Sequence, residues 1–399
     1  MNDSQKIAMI REVMPAVKNK VYLNTGSVGP SSQIWLDALQ AAETQGLEDG
    51  RGSYLNFRRS MDITTELRAA MARLVNTEPE NIALTHHTTE GMNIVSHGLT
   101  WQPGDEVITT TSEHEGGLMP LYVLRQRQGI VVKTIDVWPG DDIVAKFEAA
   151  ITPRTRALVF SHVNWNTGMR MPLQALATLA RERHMFSIVD AAQSTGAIPL
   201  DLPASGVDFY AMPCQKWLGG PTGIGALYVR PDRRTFVSPT FAGFRTLEDV
   251  SMYDFTGHFV PAKSAKRYEV GTTNNPAFAG MVAHLNWLEN EVGWDWLYTR
   301  IAHLAAYAHD GLSQLPNTTV ITPSGKQSGL ITFSMDGYEP SRAMTKLLER
   351  DILLRFIRLP SSLRISTGYY NTEADIDTLI EGLKFIQTLD PESLPEFSF

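Results

Sequence analysis

Asp190 and Lys216 carry opposite charges, and both sit where apolar runs end. Residues 186–190 read FSIVD, a short apolar run closed by the carboxylate. Residues 207–212 form a second run, and Lys216 follows it across Pro213-Cys214-Gln215. Runs of this kind are predicted buried strands of a parallel sheet. A third run, 224–229, is entered through a Gly/Pro-rich turn. An acid and an amine are thus expected just past the C-terminal ends of neighbouring strands, the edge at which open α/β sheets bind ligands. One chemistry uses the pair together. Pyridoxal 5′-phosphate (PLP) takes a lysine for its Schiff base and a carboxylate to keep its pyridinium nitrogen protonated. Singly, each would be an ordinary strand-end carboxylate or a solvated lysine; the flanking motifs favour the cofactor.

Those motifs are D-x-x-Q, from Asp190 to Gln193, and K-W-x-x-G-P-x-G-x-G, from Lys216 to Gly225. The pattern resembles the class V aminotransferase group of fold-type I PLP enzymes. That group includes cysteine desulfurases, kynureninase, isopenicillin N epimerase and the cystine C–S lyases. The likeness runs over residues 22–370 and is nearest to the cystine/cysteine C–S lyases.

The resemblance implies roles for further residues. His86-His87-Thr88-Thr89-Glu90 opens a predicted helix. Its hydroxyls could be plain N-caps or phosphate ligands at a helix N-terminus. The family uses this turn for the PLP phosphate, with Thr89 at the usual threonine and Thr88 beside it. His114, in Glu113-His114, matches the histidine that stacks on the pyridine ring. Asn166, in Asn166-Thr167-Gly168, matches an asparagine near the cofactor, although asparagine also suits such a turn by itself. Thr272, in Arg267-Tyr268-Glu269-Val270-Gly271-Thr272, matches a threonine that crosses to the neighbouring subunit's phosphate, which implies a homodimer with shared active sites. Arg364, in Leu363-Arg364-Ile365-Ser366, matches the arginine that pairs with the substrate α-carboxylate. Arg355 matches a second arginine of the cystine lyases, or is a solvated strand-edge residue. The turn Asn24-Thr25-Gly26 is either a connector or, as in the family, a loop over the substrate, with Asn24 and Gly26 as contacts.

Two departures bear on the phosphate. Gln215 stands where histidine is usual; an amide can bind but cannot titrate. Pro213 replaces a Ser/Thr donor. A third bears on sulfur. Cys214 is the only cysteine, and the loop where desulfurases keep their nucleophile corresponds to residues 324–329, which hold none.

The elements that must position these groups alternate as strands and helices from 80 to 229, which predicts a mostly parallel sheet covered on both faces. Helices are expected over 4–18, 31–47, 61–75, 141–150 and 173–183, with a long one over 276–314 broken at Gly293. Residues 231–265 lack regular patterning. Strands near 330–334 and 363–366 and helices near 340–349 and 373–387 suggest a small α+β unit. The predicted class is α/β: a large PLP-binding domain over 20–260, and a small domain from 1–19 and 261–399.

The chain has 399 residues and a formal charge of −8, which disfavours nucleic acid and anionic membranes as partners. No signal-peptide core, membrane-length apolar run, disulfide framework or cysteine metal site is present, so a cytoplasmic enzyme without metal is expected. The expected activity is β-elimination of sulfur from cysteine, cystine or an S-conjugated cysteine, a small amino-acid substrate. The alternative is an epimerase or aminotransferase of the isopenicillin N epimerase type. An epimerase needs a second acid, and no sequence signal places one, although Tyr253 and His258 lie in the irregular stretch.

Overall fold

The computed structural model describes residues 2–249, 251, 253, 255–325 and 328–397. In chain order its strands are β1 (Val21–Tyr22), β2 (Ile82–Thr85), β3 (Glu106–Thr110), β4 (Val131–Ile135), β5 (Thr155–Ser161), β6 (Phe186–Asp190), β7 (Phe209–Pro213), β8 (Gly225–Val229), β9 (Thr318–Val320), β10 (Leu330–Met335), β11 (Ile352–Leu353), β12 (Arg355–Ile357) and β13 (Ser362–Ser366). A seven-stranded sheet has the order β2-β8-β7-β6-β5-β3-β4. β8 runs antiparallel to both neighbours; the other pairs are parallel.

This topology decides where the chemistry lies. Because β8 is flanked by antiparallel pairings, β2 points the same way as β7. The segments after β2, β3, β5, β6 and β7 therefore leave the sheet at one edge. β6, β7 and β8 are buried along their whole length, as expected for strands covered on both faces. The helix Leu173–Glu182 covers one side with Leu173, Leu176, Ala177, Leu179 and Ala180, a stripe at helical spacing.

A four-stranded antiparallel sheet, β12-β13-β10-β9, has its own core, in which Leu304, Phe333, Leu363, Ile376 and Leu383 pack with Leu23 from the N-terminal segment. That segment also pairs β1 with β11 and bridges Asn24 to Ser366.

Several element boundaries differ from expectation, each for a local reason. The first helix splits into Asp3–Glu12 and Pro15–Asn19. Proline disfavours helical geometry in the residue before it and itself suits a helix start. The helix predicted over 61–75 begins at Tyr54, where the Ser53 hydroxyl accepts from the Asn56 N–H at 3.2 Å. The long C-terminal helix is Asn275–Trp287, a π-turn Leu288–Val292, then Trp294–Ser313; Gly293, at φ +81°, makes the break. Short 3₁₀ turns at Pro231–Phe236 and Phe244–Thr246 punctuate the irregular stretch, of which Val250, Met252 and Asp254 lie outside the described residues. Lys326 and Gln327, in the loop lacking a cysteine, also lie outside them. Among the described residues no helix is long and apolar enough to cross a membrane, and no cluster of His, Cys, Asp and Glu could hold a metal ion.

Candidate active site

Asp190 is the last residue of β6, and Lys216 lies three residues past the end of β7, its parallel neighbour. Burial lowers the Lys216 amine to about 8; Asp190 pulls it up, while Arg364 and Arg355 push it further down. Burial raises the Asp190 carboxyl, opposed by the Ala192 N–H donating to Oδ1 at 2.8 Å and by Lys216 and His114. Each group thus loses solvation that the other partly restores.

Two helix N-termini converge on the same edge. His87 caps the helix Thr88–Gly98, its Nδ1 accepting from the Glu90 N–H at 3.1 Å. Gly91 lets this helix sit directly on Ala211 of β7, where an added Cβ would stand 2.8 Å from the Ala211 Cβ. His114 caps the helix Glu115–Gln128, its Nδ1 accepting from the Gly116 N–H at 3.0 Å. Its ring meets Trp165 edge-on, centroids 5.4 Å apart. Burial lowers its pKa, and Lys216 adds to the effect. The Thr89 hydroxyl lies against Gly116, between the two helix starts.

The N-terminal loop closes the site from the other side. Gly26 donates its N–H to Ser366 Oγ at 3.0 Å, and its carbonyl accepts from Gln193 Nε2 at 2.8 Å. Gln193 Oε1 in turn accepts from the Trp217 indole at 2.9 Å, so both ends of its amide are engaged. Asn24 Oδ1 accepts from Ser27 at 2.7 Å. Arg364 on β13 is fully buried and donates to the Trp165 carbonyl at 2.8 Å and to Ser27 Oγ at 3.0 Å. Burial, with Arg355 nearby, lowers its guanidinium to about 9, so it stays charged at neutral pH. Arg355 stands directly opposite it on β12 and also donates to Ser27, at 3.2 Å. Among the described residues no carboxylate pairs with either arginine.

Asn166 donates from Nδ2 to the Leu359 carbonyl at 3.2 Å, with its Oδ1 free of any partner among the described residues. Thr272 is not gathered with this group. It lines a separate surface cavity with Arg51, Phe57, Thr273 and Asn274.

The donor set suits PLP. The Thr85 and Thr88 hydroxyls are buried without partners among the described residues, Thr88 at the start of its helix, and each can donate to a phosphate; Gln215, next to Lys216, can donate only through Nε2, its unpartnered Oε1 being an acceptor.

Four residues at this edge are given no role by the sequence reading. Ser27 touches both arginines. Trp165 meets His114 with its ring and Arg364 with its carbonyl. Glu113 is buried, accepts from Thr110 and Ser161 at 2.6 Å each, and is pushed up to about 7 by burial. Asn164 is fully buried with neither end of its amide bonded among the described residues. Ser27 and Glu113 lie in motifs that the sequence does highlight; nothing local marks the others.

Known proteins share this architecture. The family described as aminotransferase class-V matches residues 36–379. A complex between the cystine C–S lyase C-DES and its reaction product cysteine persulfide superposes with a TM-score of 0.88 at 32% identity, covering 93% of this chain and 98% of that one. Another C-DES structure, a lysine-to-alanine mutant with glycine covalently linked to the PLP cofactor, gives 0.89 at 31%, covering 94% and 98%. The cysteine desulfurase CsdA of Escherichia coli is 29% identical over 94% of this chain and 96% of its own length. A probable cysteine desulfurase of Mycolicibacterium paratuberculosis is 27% identical over 95% of this chain, which spans only 58% of that relative. The fold, the gathered lysine and carboxylate, and these matches agree: the chain belongs to the class V aminotransferases and is a PLP-dependent enzyme.

Proposed function

We propose that the enzyme is a C–S lyase, eliminating sulfur from Cβ of cysteine, cystine or an S-conjugated cysteine to give pyruvate and ammonia. The observation that carries this reading is Cys214. It is the only cysteine, is fully buried, and burial pushes its thiol up to about 12. A desulfurase hands sulfur to a thiolate that can reach the substrate. Cys214 cannot serve, so sulfur leaves directly.

In this reading Lys216 anchors PLP and Asp190 holds the proton on its ring nitrogen. Thr88, Thr89, Gln215 and Thr272 of the partner subunit hold the phosphate. His114 confines the ring, and Gln193 and Asn166 line the cofactor's surroundings. Bound PLP supplies an electron sink for the charge left at Cα. Arg364 takes the α-carboxylate in a two-bond pair that lysine cannot copy. Arg355, Asn24 and Gly26 complete the substrate side. Once the substrate's own amine has displaced it, the freed Lys216 amine, lowered by burial to about 8, would accept the Cα proton as general base. The Cβ–S bond breaks with its electron pair on sulfur, and water converts the unsaturated amine product to pyruvate and ammonia.

The same proposal makes the enzyme a homodimer. Tyr54, Leu55, Phe57, Met61 and Phe244 are exposed, Phe57 and Phe244 beside Thr272 in its cavity, an apolar surface that a second copy would cover. It also places the enzyme in the cytoplasm, a reducing compartment that suits a chain whose single cysteine forms no disulfide.

The test is pyruvate release from cysteine, cystine and S-substituted cysteines, with sedimentation in parallel. Release from at least one is expected. Racemised substrate or a keto-acid-dependent amino transfer, with no pyruvate, would replace elimination by the epimerase or aminotransferase reading. A 44 kDa particle holding full PLP would rule out the shared site.

A further inference from the structure

We infer that Ser27 is the positioning residue that aims Arg355 at a second carboxylate on the substrate, and so sets preference for a two-carboxylate disulfide amino acid over a one-carboxylate S-alkyl cysteine. The inference rests on the lyase reading for its substrate class. Its geometry stands apart from that reading.

Arg355 and Arg364 face each other across β12 and β13. Like charges directly opposite on paired strands are destabilising. Here they also converge on one oxygen: Arg364 Nη2 reaches Ser27 Oγ at 3.0 Å and Arg355 Nη1 at 3.2 Å. A serine hydroxyl has one proton and two acceptor sites. The proton goes to Asn24 Oδ1 at 2.7 Å, which leaves both acceptor sites to the arginines. The hydroxyl is therefore fully used, yet neutral, so neither positive charge is cancelled. With no carboxylate paired to them among the described residues, the two guanidiniums are matched to a ligand with more than one negative oxygen pair.

The two arginines depend on Ser27 unequally. Arg364 is fully buried and keeps the Trp165 carbonyl. Arg355 is exposed, and its other contact near the site is the Trp165 ring, 6.0 Å from its guanidinium carbon. Losing Ser27 therefore frees Arg355 far more than Arg364. The second carboxylate should feel the change and the first should not.

The experiment is titration calorimetry on PLP-loaded enzyme with L,L-2,7-diaminosuberate, the dicarba analogue of cystine, and with L-norleucine. Neither probe has a sulfur to lose, so the result does not depend on elimination. For Ser27→Ala, loss of one solvent-exposed hydrogen bond should weaken diaminosuberate binding roughly five- to tenfold, and norleucine binding by less than about twofold. Ser27→Thr, which keeps the hydroxyl, should restore the ratio. Equal losses for both probes, no loss for either, or no rescue by a folded, PLP-loaded Ser27→Thr would overturn the assignment. Absence of pyruvate release from the parent enzyme would sink the lyase reading and leave this binding result to stand or fall by itself.

Discussion

Gly29 packs its backbone directly on the turn that carries Lys216. Its N–H donates to the Gln215 carbonyl at 2.8 Å, and a Cβ there would collide with the Lys216 carbonyl and stand 3.0 Å from the Gly219 Cα. The turn is therefore held by backbone contacts that do not involve the lysine side chain. Lys216→Ala should fold as the parent does and lose only what the amine provides. We expect no PLP fixed to the protein by borohydride and no turnover. Recovery of the reduced cofactor on a different lysine would show that Lys216 is not the anchor.

Cofactor capture should report the same amine. An attacking amine must be neutral, and burial lowers Lys216 from the ordinary lysine value to about 8. The rate of PLP uptake by cofactor-free enzyme should climb with pH up to about 8 and then level off, because most of the amine is already neutral. A rate still rising through pH 10 would mean that the lysine is not desolvated in solution.

Arg364 gives a prediction about substrate alone. Removing a charge-assisted two-bond partner should cost about 2–5 kcal/mol in kcat/KM. Arg364→Ala should keep its PLP absorbance while losing that much activity on every α-amino acid tried. Arg364→Lys should recover little, since an ammonium cannot form the paired geometry. Unchanged kcat/KM in a PLP-loaded variant would move the α-carboxylate elsewhere.

Those three residues could be singled out from the sequence because their signals are local. Asp190 closes an apolar run and Lys216 closely follows one, Arg364 sits in a short strand motif, and the parallel direction expected of alternating strands and helices puts the first two at one sheet edge. Ser27 was not legible for the opposite reason. Its role comes from contacts with Arg364 and Arg355, 337 and 328 residues away. No sequence pattern says that β12 pairs with β13 in the register that sets these two arginines face to face. Trp165 works partly through its backbone carbonyl, which any residue has. Gln193 was legible as a motif residue, but its engagement with Gly26 and Trp217 follows from how the N-terminal loop threads between the two sheets.

Glu113 makes a prediction about stability. Burial raises its carboxyl to about 7, with the Asp190 charge adding to the shift, while Ser161 and Thr110 hold it back. The folded state therefore binds this proton more tightly than the unfolded chain. Its contribution to stability is full below the ordinary glutamate range and falls as pH rises toward 7. Glu113→Gln keeps a polar amide between the two hydroxyls and cannot ionise. Denaturation at pH 5 and pH 8 should show the variant gaining on the parent by roughly 1–3 kcal/mol at the higher pH. A gap that does not move with pH would mean that Glu113 does not titrate in this range.

Cys214 decides between elimination and desulfuration. Its Sγ is 4.0 Å from the Met71 sulfur and fully buried, and its N–H is committed to the Ile224 carbonyl at 3.0 Å. With burial pushing the thiol up to about 12, almost none is thiolate at neutral pH. It also lies in the turn on which Gly29 packs, with its carbonyl accepting from the Gly220 N–H at 2.9 Å, so its backbone is bonded on both sides. Free cysteine in such a place packs as a small hydrophobe. Cys214→Ala should therefore keep most of its PLP and lyase activity. Cys214→Ser should do the same while costing about 1–3 kcal/mol of stability, because its hydroxyl would be buried opposite a methionine. Mass spectrometry during turnover should find no added sulfur on the protein. A persulfide on Cys214, or a Cys214→Ala enzyme that holds its cofactor yet is inert, would show that sulfur passes through the protein after all.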